Sequence, residues 1–183
     1  MKRKYTFFNK YGILFFVLIS LLILASCLLP TILLPNINGE LVSYNGIDVA
    51  LGKDIGAILF NGYYKSKAEI MVSYVICIGY GLPMLLTLIA IFIKNRRIKS
   101  IMLASGYIVS IVILMMINEI GMCHLYDFNL LTSQNELFKH FKDIDGVLQY
   151  GPLVACLVAI VGIILSIPYA FSDYMLVKRK VKQ

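Results

Sequence analysis

Four side chains with metal-ligand chemistry gather in one part of the chain: Glu119, Cys123, His124 and, further on, His140. Carboxylate, thiolate and imidazole are the donors that hold zinc and related ions. Their spacing follows no metal-binding pattern, and His140 would have to return from a separate segment, so no metal or cofactor is expected. Asn118, Glu119 and His124 remain a candidate polar cluster at the end of an apolar run. Asp143-Ile144-Asp145-Gly146 has the beginning of a calcium loop without the further oxygen ligands such a loop requires. Leu24-Ala25-Ser26-Cys27 has the form of a lipoprotein cleavage site, in which the cysteine would be acylated. Apolar sequence continues past Cys27 to Leu34, where a mature domain would turn polar, so an uncleaved apolar segment is the expectation.

Other chemistry is missing from the sequence. It has no glycine-rich phosphate loop, no nucleophile elbow, no zinc-protease helix and no Asn-X-Ser/Thr site. The chain is therefore expected not to be an enzyme. Cys27, Cys77, Cys123 and Cys156 lie in or at the end of apolar runs, as small packing residues do, and form no disulfide framework.

The elements that position these residues are apolar. Of 183 residues, 60% are hydrophobic, against about 45–50% in a soluble domain. The excess falls in four blocks, 12–34, 70–93, 101–120 and 152–171, each long enough to span a bilayer at about 1.5 Å per residue. The expected fold is an all-α membrane protein: one domain, 1–183, built as a bundle of four transmembrane helices. Two outer loops, 35–69 and 121–151, and an inner turn, 94–100, join the spans.

Charge sets the orientation. Lys2, Arg3, Lys4 and Lys10 precede the first block, Lys94, Arg96, Arg97 and Lys99 fill the turn between the second and third, and Lys178, Arg179, Lys180 and Lys182 follow the fourth. These twelve cations face one acid, Asp173, for a net +11, while five cations and nine acids elsewhere give −4. Cations are retained on the cytoplasmic side, so both termini are expected in the cytoplasm of a cell-membrane protein. The basic clusters are expected to touch anionic lipid headgroups, and no nucleic-acid partner is needed to account for them.

The first outer loop contains Asn45-Gly46 and Asn61-Gly62, pairs that favour hairpin turns, each between strand-like residues. The pattern predicts a small antiparallel sheet of up to four strands, with a helix over 54–60 as the competing reading. In the second outer loop Ser133-Gln134-Asn135-Glu136 matches a capping box, and Leu137, Phe141 and Ile144 follow at helical spacing. That predicts a short amphipathic helix ending near Gly146.

Within the spans, Gly79, Gly81 and Pro83 mark a kink in the second. Gly106 and Ser110 in the third and Gly162 and Ser166 in the fourth are small-x-x-x-small pairs that let helices approach closely. Matched depths would set Gly106 against Ser166 and Ser110 against Gly162.

This layout resembles that of the claudin-like four-span proteins: both termini inside, a β-rich first loop, a short inner turn and a second outer loop. The claudin first-loop signature of Trp, Gly-Leu-Trp and two cysteines is missing, so no residue and no adhesive or pore-forming role carries over. An Ile-, Lys- and Asn-rich composition points to a low-GC bacterium. The expected function is that of a non-enzymatic accessory or interaction subunit, or an immunity-type protein, whose outer loops contact a protein partner. The alternative is a small transporter or channel component. Four helices this apolar leave no pore within one chain, so such a channel would have to be an oligomer.

Overall fold

The computed structural model describes residues 2–36, 38–60, 64–127 and 137–180. The chain is mostly helical: four long helices, apolar enough to cross a membrane, carry two small sheets at one end. The other end holds the described basic segments.

Helix α1 (Lys2–Ala25) runs into a 3-10 turn at Ser26–Leu28, where Ser26 Oγ donates back to the Ile23 carbonyl. The expected first span reached Leu34. Instead Pro30–Pro35 is strand β1, because Pro30 has no N–H to continue a helix and a short apolar run suits a buried strand equally well. Ile32 and Leu34 are apolar because they enter the core beneath the sheets.

Strand β2 (Leu41–Asn45) pairs with β1, and the expected first hairpin turn after it is absent. The Asn45 N–H donates to the Asp48 carboxylate at 3.2 Å, and Gly46–Leu51 is a short helix, α2. An Asn followed three residues later by Asp is also a helix-start signal, and here it outweighs the turn preference of Asn-Gly. Gly46 is needed for space: a Cβ there would lie 2.9 Å from Cys27 Cα and from the Tyr80 hydroxyl. Gly52, at φ +83, turns the chain into β3 (Lys53–Phe60). So 54–60 is strand, and its hairpin with β4 (Tyr64–Ile70) closes with Phe60 opposite Tyr64. Residues 61–63, with the second Asn-Gly pair, lie outside the described residues.

Helix α3 (Tyr74–Phe92) starts later than expected, because Ile70 is the buried last residue of β4 and Ser73 caps the helix. Helix α4 (Arg96–Met115) starts earlier, because Asn95 accepts from the Arg97 N–H at 3.0 Å. Arg96, Arg97 and Lys99 are therefore in the first turn of a helix and not in a loop. The third block breaks at Met116 before a single turn, α5 (Ile117–Ile120).

The second connecting segment is also a strand where a helix was expected. Met122–Asp127 forms β5 and Leu137–His140 forms β6, paired from Met122–His140 to Leu125–Leu137. Pairing with an open sheet edge wins over a short helical pattern. Phe141 and Ile144, expected as the apolar stripe of that helix, are buried from a 3-10 turn instead. The Ser133–Glu136 capping box lies outside the described residues. Val147–Leu148 forms β7, and α6 (Tyr150–Lys180) completes the bundle. The sheets, all antiparallel, are ordered β2-β1-β7 and β3-β4-β5-β6.

Inside the bundle Pro83 decides the polar contacts. Proline has no N–H, so the Gly79 carbonyl one turn earlier loses its helical partner. Ser110 Oγ, on α4, donates to that carbonyl. Around Pro83, Thr87 Oγ1 donates to the Pro83 carbonyl at 2.7 Å, and Ser20 Oγ lies 2.8 Å from Thr87 Oγ1 and 3.2 Å from the Tyr107 hydroxyl. Ser20, Thr87, Tyr107 and Ser110 are fully buried.

The small residues work, but not in the expected register. Gly106 faces Leu86 of α3, 2.6 Å from a built Cβ, and Gly79 faces Ile113 of α4. Gly162 lies against the Tyr107 ring, and Ser100 Oγ donates to the Ser166 carbonyl at 2.6 Å. So α4 meets α6 about one helical turn away from the depth-matched register, because α6 continues well past the level of Ser100. A Cβ added at Gly81 would meet nothing within 4 Å beyond its own helix backbone and chain neighbours.

Ser110→Ala should cost about 1–3 kcal/mol, because it leaves the buried Gly79 carbonyl unpaired. In a Pro83→Ala background, which returns an N–H to the Gly79 carbonyl, the same change should cost clearly less. A double-mutant cycle on thermal unfolding in detergent measures the difference. Gly81→Ala should stabilise by about 0.5–1 kcal/mol, since a helical glycine costs that much and nothing opposes the new methyl.

Candidate functional site

The sheet β3-β4-β5-β6 has two unlike faces, because side chains alternate along a strand. Ile58, Ala68, Ile70, Cys123 and Leu125 point inward and are buried. Asp54, Glu69, His124 and Phe138 lie in one row across the four strands on the outer face, and Lys67 and Tyr126 lie in the next.

The outer face is charged over β3 and β4 and aromatic over β5 and β6. The His124 ring stacks on Phe138, centroids 4.8 Å apart, and tilts against Tyr126 at 4.2 Å. The Tyr126 hydroxyl donates to Glu69 at 3.3 Å. Lys67 reaches Asp54 at 3.6 Å and lies 6.0 Å above the Tyr126 ring. The Gly56 N–H, donated to Asp54 at 2.9 Å, holds that carboxyl below its ordinary range, with Lys67 adding to the effect. Tyr126 and Phe138 remain 39% and 47% exposed, so an aromatic surface bordered on one side by charge faces outward.

The expected cluster of Asn118, Glu119 and His124 is not assembled. Asn118 donates to the Gly146 carbonyl at 3.3 Å, while Glu119 pairs with Lys142. That hydrogen bond and the carboxylate charge push the Lys142 ammonium upward. His124 is on the sheet with its two aromatic neighbours. Gly121 ends α5 before β5 begins, which leaves Asn118 and Glu119 on the single helical turn and His124 on the strand. Among the described residues no three His, Cys, Asp or Glu side chains are grouped to hold a metal ion.

Of the residues expected at the lipid surface, Lys94 and Arg97 are exposed and Arg96 and Lys99 partly so. Lys178, Arg179 and Lys180 continue α6, and their side chains lie outside the described ones. Lys67, Glu69, Tyr126 and Phe138 are the residues that sequence reasoning missed. Their signal was the strict alternation of Lys67-Ala68-Glu69-Ile70 and of Cys123-His124-Leu125-Tyr126.

Comparison with protein-family models, with curated proteins and with solved structures gives no match for this chain. The claudin-like layout therefore carries no family assignment. What the fold defines is a class: a four-helix protein, each helix long and apolar enough to cross a membrane, with paired sheets at one end.

Cys123 is inert by position. It is fully buried, and burial pushes its thiol up to about 12. Thiolate is the reactive form, and a buried thiol with a raised pKa stays protonated and out of reach of solvent near pH 8. Native alkylation by iodoacetamide should leave Cys123 unmodified in peptide mass spectra, and prior denaturation should expose it.

Proposed function

We propose that this chain is a non-enzymatic multi-pass cell-membrane protein, an accessory or immunity-type subunit that meets a protein partner through its sheets outside the cell. The observation that carries the reading is the outer face of β3-β4-β5-β6. Exposed tyrosine and phenylalanine beside a charged patch match the composition of protein-binding surfaces, where aromatic anchors supply most of the energy.

The membrane part of the proposal is supported by the helices. Only 33% of each apolar span is buried inside the protein. Leu14, Leu22, Ile91, Ile101, Leu157 and Ile164 face outward. A helix that is apolar all round needs a nonpolar surrounding. Orientation follows from the +11 of the basic segments against −4 elsewhere. The sheets sit at the end opposite the basic turn, which on this reading is the outer surface.

The alternative, a transporter or channel component, would draw on the buried hydroxyls of Ser20, Thr87 and Tyr107. Their bonds run to one another and to backbone carbonyls, which leaves them little capacity for a passing solute.

Two measurements test the reading. In a background lacking the four native cysteines, a cysteine at Ser43 should react with an impermeant maleimide in whole cells, and one at Lys94 should react only after lysis. Both side chains are exposed, so the reverse pattern would invert the orientation. Tyr126→Ala with Phe138→Ala should abolish recovery of the partner in mild detergent while leaving the unfolding temperature of the bundle unchanged. Ion flux through liposomes holding this protein alone would instead support the transport reading.

A further inference from the structure

At the basic end a groove of about 470 Å³ runs along the seam between α4 and α6. Its α4 wall is Arg97, Ser100, Ile101 and Ala104, positions i, i+3, i+4 and i+7 of one helix face. Its α6 wall is Ser166, Ile167, Ala170 and Phe171. The volume is that of a small-ligand site, about 300–1,000 Å³.

The polarity of the groove runs in one direction. Ser100 Oγ is already committed to the Ser166 carbonyl, so the floor presents a satisfied pair. Ala104, Ile101 and Phe171 are apolar, and among the described residues no acid lines the wall. The one charge among its described lining residues is Arg97, in the first turn of α4 at the basic end. From Arg97 to Ala104 the wall extends about 10 Å along the helix. A ligand that fits is anionic at one end and apolar for at least that length.

We propose that the α4–α6 groove binds one anionic phospholipid, an acyl chain lying along Ile101 and Ala104 and the headgroup phosphate held by Arg97. This rests on the reading that the helices cross a bilayer, and it adds a specific lipid site to the general attraction of basic segments for headgroups. Guanidinium suits the task because its planar fork bonds two phosphate oxygens at once.

The test is native mass spectrometry of the full chain in mild detergent, titrated with phosphatidylglycerol or with phosphatidylcholine of identical chains. Wild type should retain phosphatidylglycerol about fivefold better, the scale of one cation at an anionic surface. Arg97→Gln should remove that preference, while Lys94→Gln, an equal loss of charge outside the groove, should keep it. Ala104→Phe should reduce retention with Arg97 intact. Ala170→Leu, which narrows the groove, gives the same measurement if Ala104→Phe lowers the unfolding temperature. Equal retention of the two lipids by wild type, or equal effects of Arg97→Gln and Lys94→Gln, overturns the site. So does displacement of the lipid by inorganic phosphate alone, which would mark an anion site with no place for a chain. Alkaline carbonate extraction of cell membranes separates the two levels of the proposal. Release of the protein into the supernatant removes the membrane reading itself, whereas retention with no lipid preference removes only the groove.

Discussion

The structure depends on one carbonyl, that of Gly79. Pro83 denies it the helical N–H it would otherwise accept from, and in an apolar interior an unpaired carbonyl costs more than the net worth of a hydrogen bond. Ser110 resolves this from the neighbouring helix. To reach it, α3 and α4 must come close, which is why a glycine faces the partner helix from each side: Gly79 against Ile113 and Gly106 against Leu86. Tyr107, next to Gly106, is then carried to the bundle centre, where its hydroxyl meets Ser20 of α1 and its ring covers Gly162 of α6. One missing proton donor thus fixes contacts among all four long helices.

The sheet end follows the same requirement. Short connections between apolar helices leave backbone groups near the core, and strands pair them. The Met71 N–H goes to Met122, that of Ser73 to Ala50, that of Phe141 to Gly121 and that of Gln149 to Thr31. These bonds tie the connecting segments to the strands and helix ends beside them. The outer face of β3-β4-β5-β6 is consequently held on a framework anchored to α3 and α5, as a recognition surface would need to be.

Helix number and approximate position were legible because four long apolar runs admit few other readings. Their ends were not. Residues 30–35 are as apolar as a helix would be, yet β1 forms there, since hydropathy reports burial and not backbone shape. Asn45-Gly46 carried two signals, hairpin turn and helix cap, and the choice lay in Cys27 and Tyr80, contacts distant in sequence. His124 drew attention through its chemistry, but its role follows from pairing with Phe138 and from the aromatic neighbour on its own strand. Strand pairing between segments far apart leaves no local trace beyond alternation, and alternation in 67–70 and 123–126 was the trace available.

The basic first turn of α4 bears on what the chain is built for. Arg96, Arg97 and Lys99 sit at the positive end of a helix dipole with no acid in the first turn to offset them. Each cation there is unfavourable by about 0.3–1 kcal/mol, so the arrangement opposes helix stability. The turn could have begun with Asp or Ser at no loss to packing, since Arg97 and Lys94 are exposed. An anionic surface beside the helix start would offset that cost. On the membrane reading an anionic leaflet does so, at about 1 kcal/mol per cation near its surface. The two magnitudes are comparable, so the helix start is close to neutral in place and unfavourable elsewhere. A cluster that is tolerable only against negative headgroups also resists crossing the bilayer, which gives the same residues a reason to set the orientation of the whole bundle.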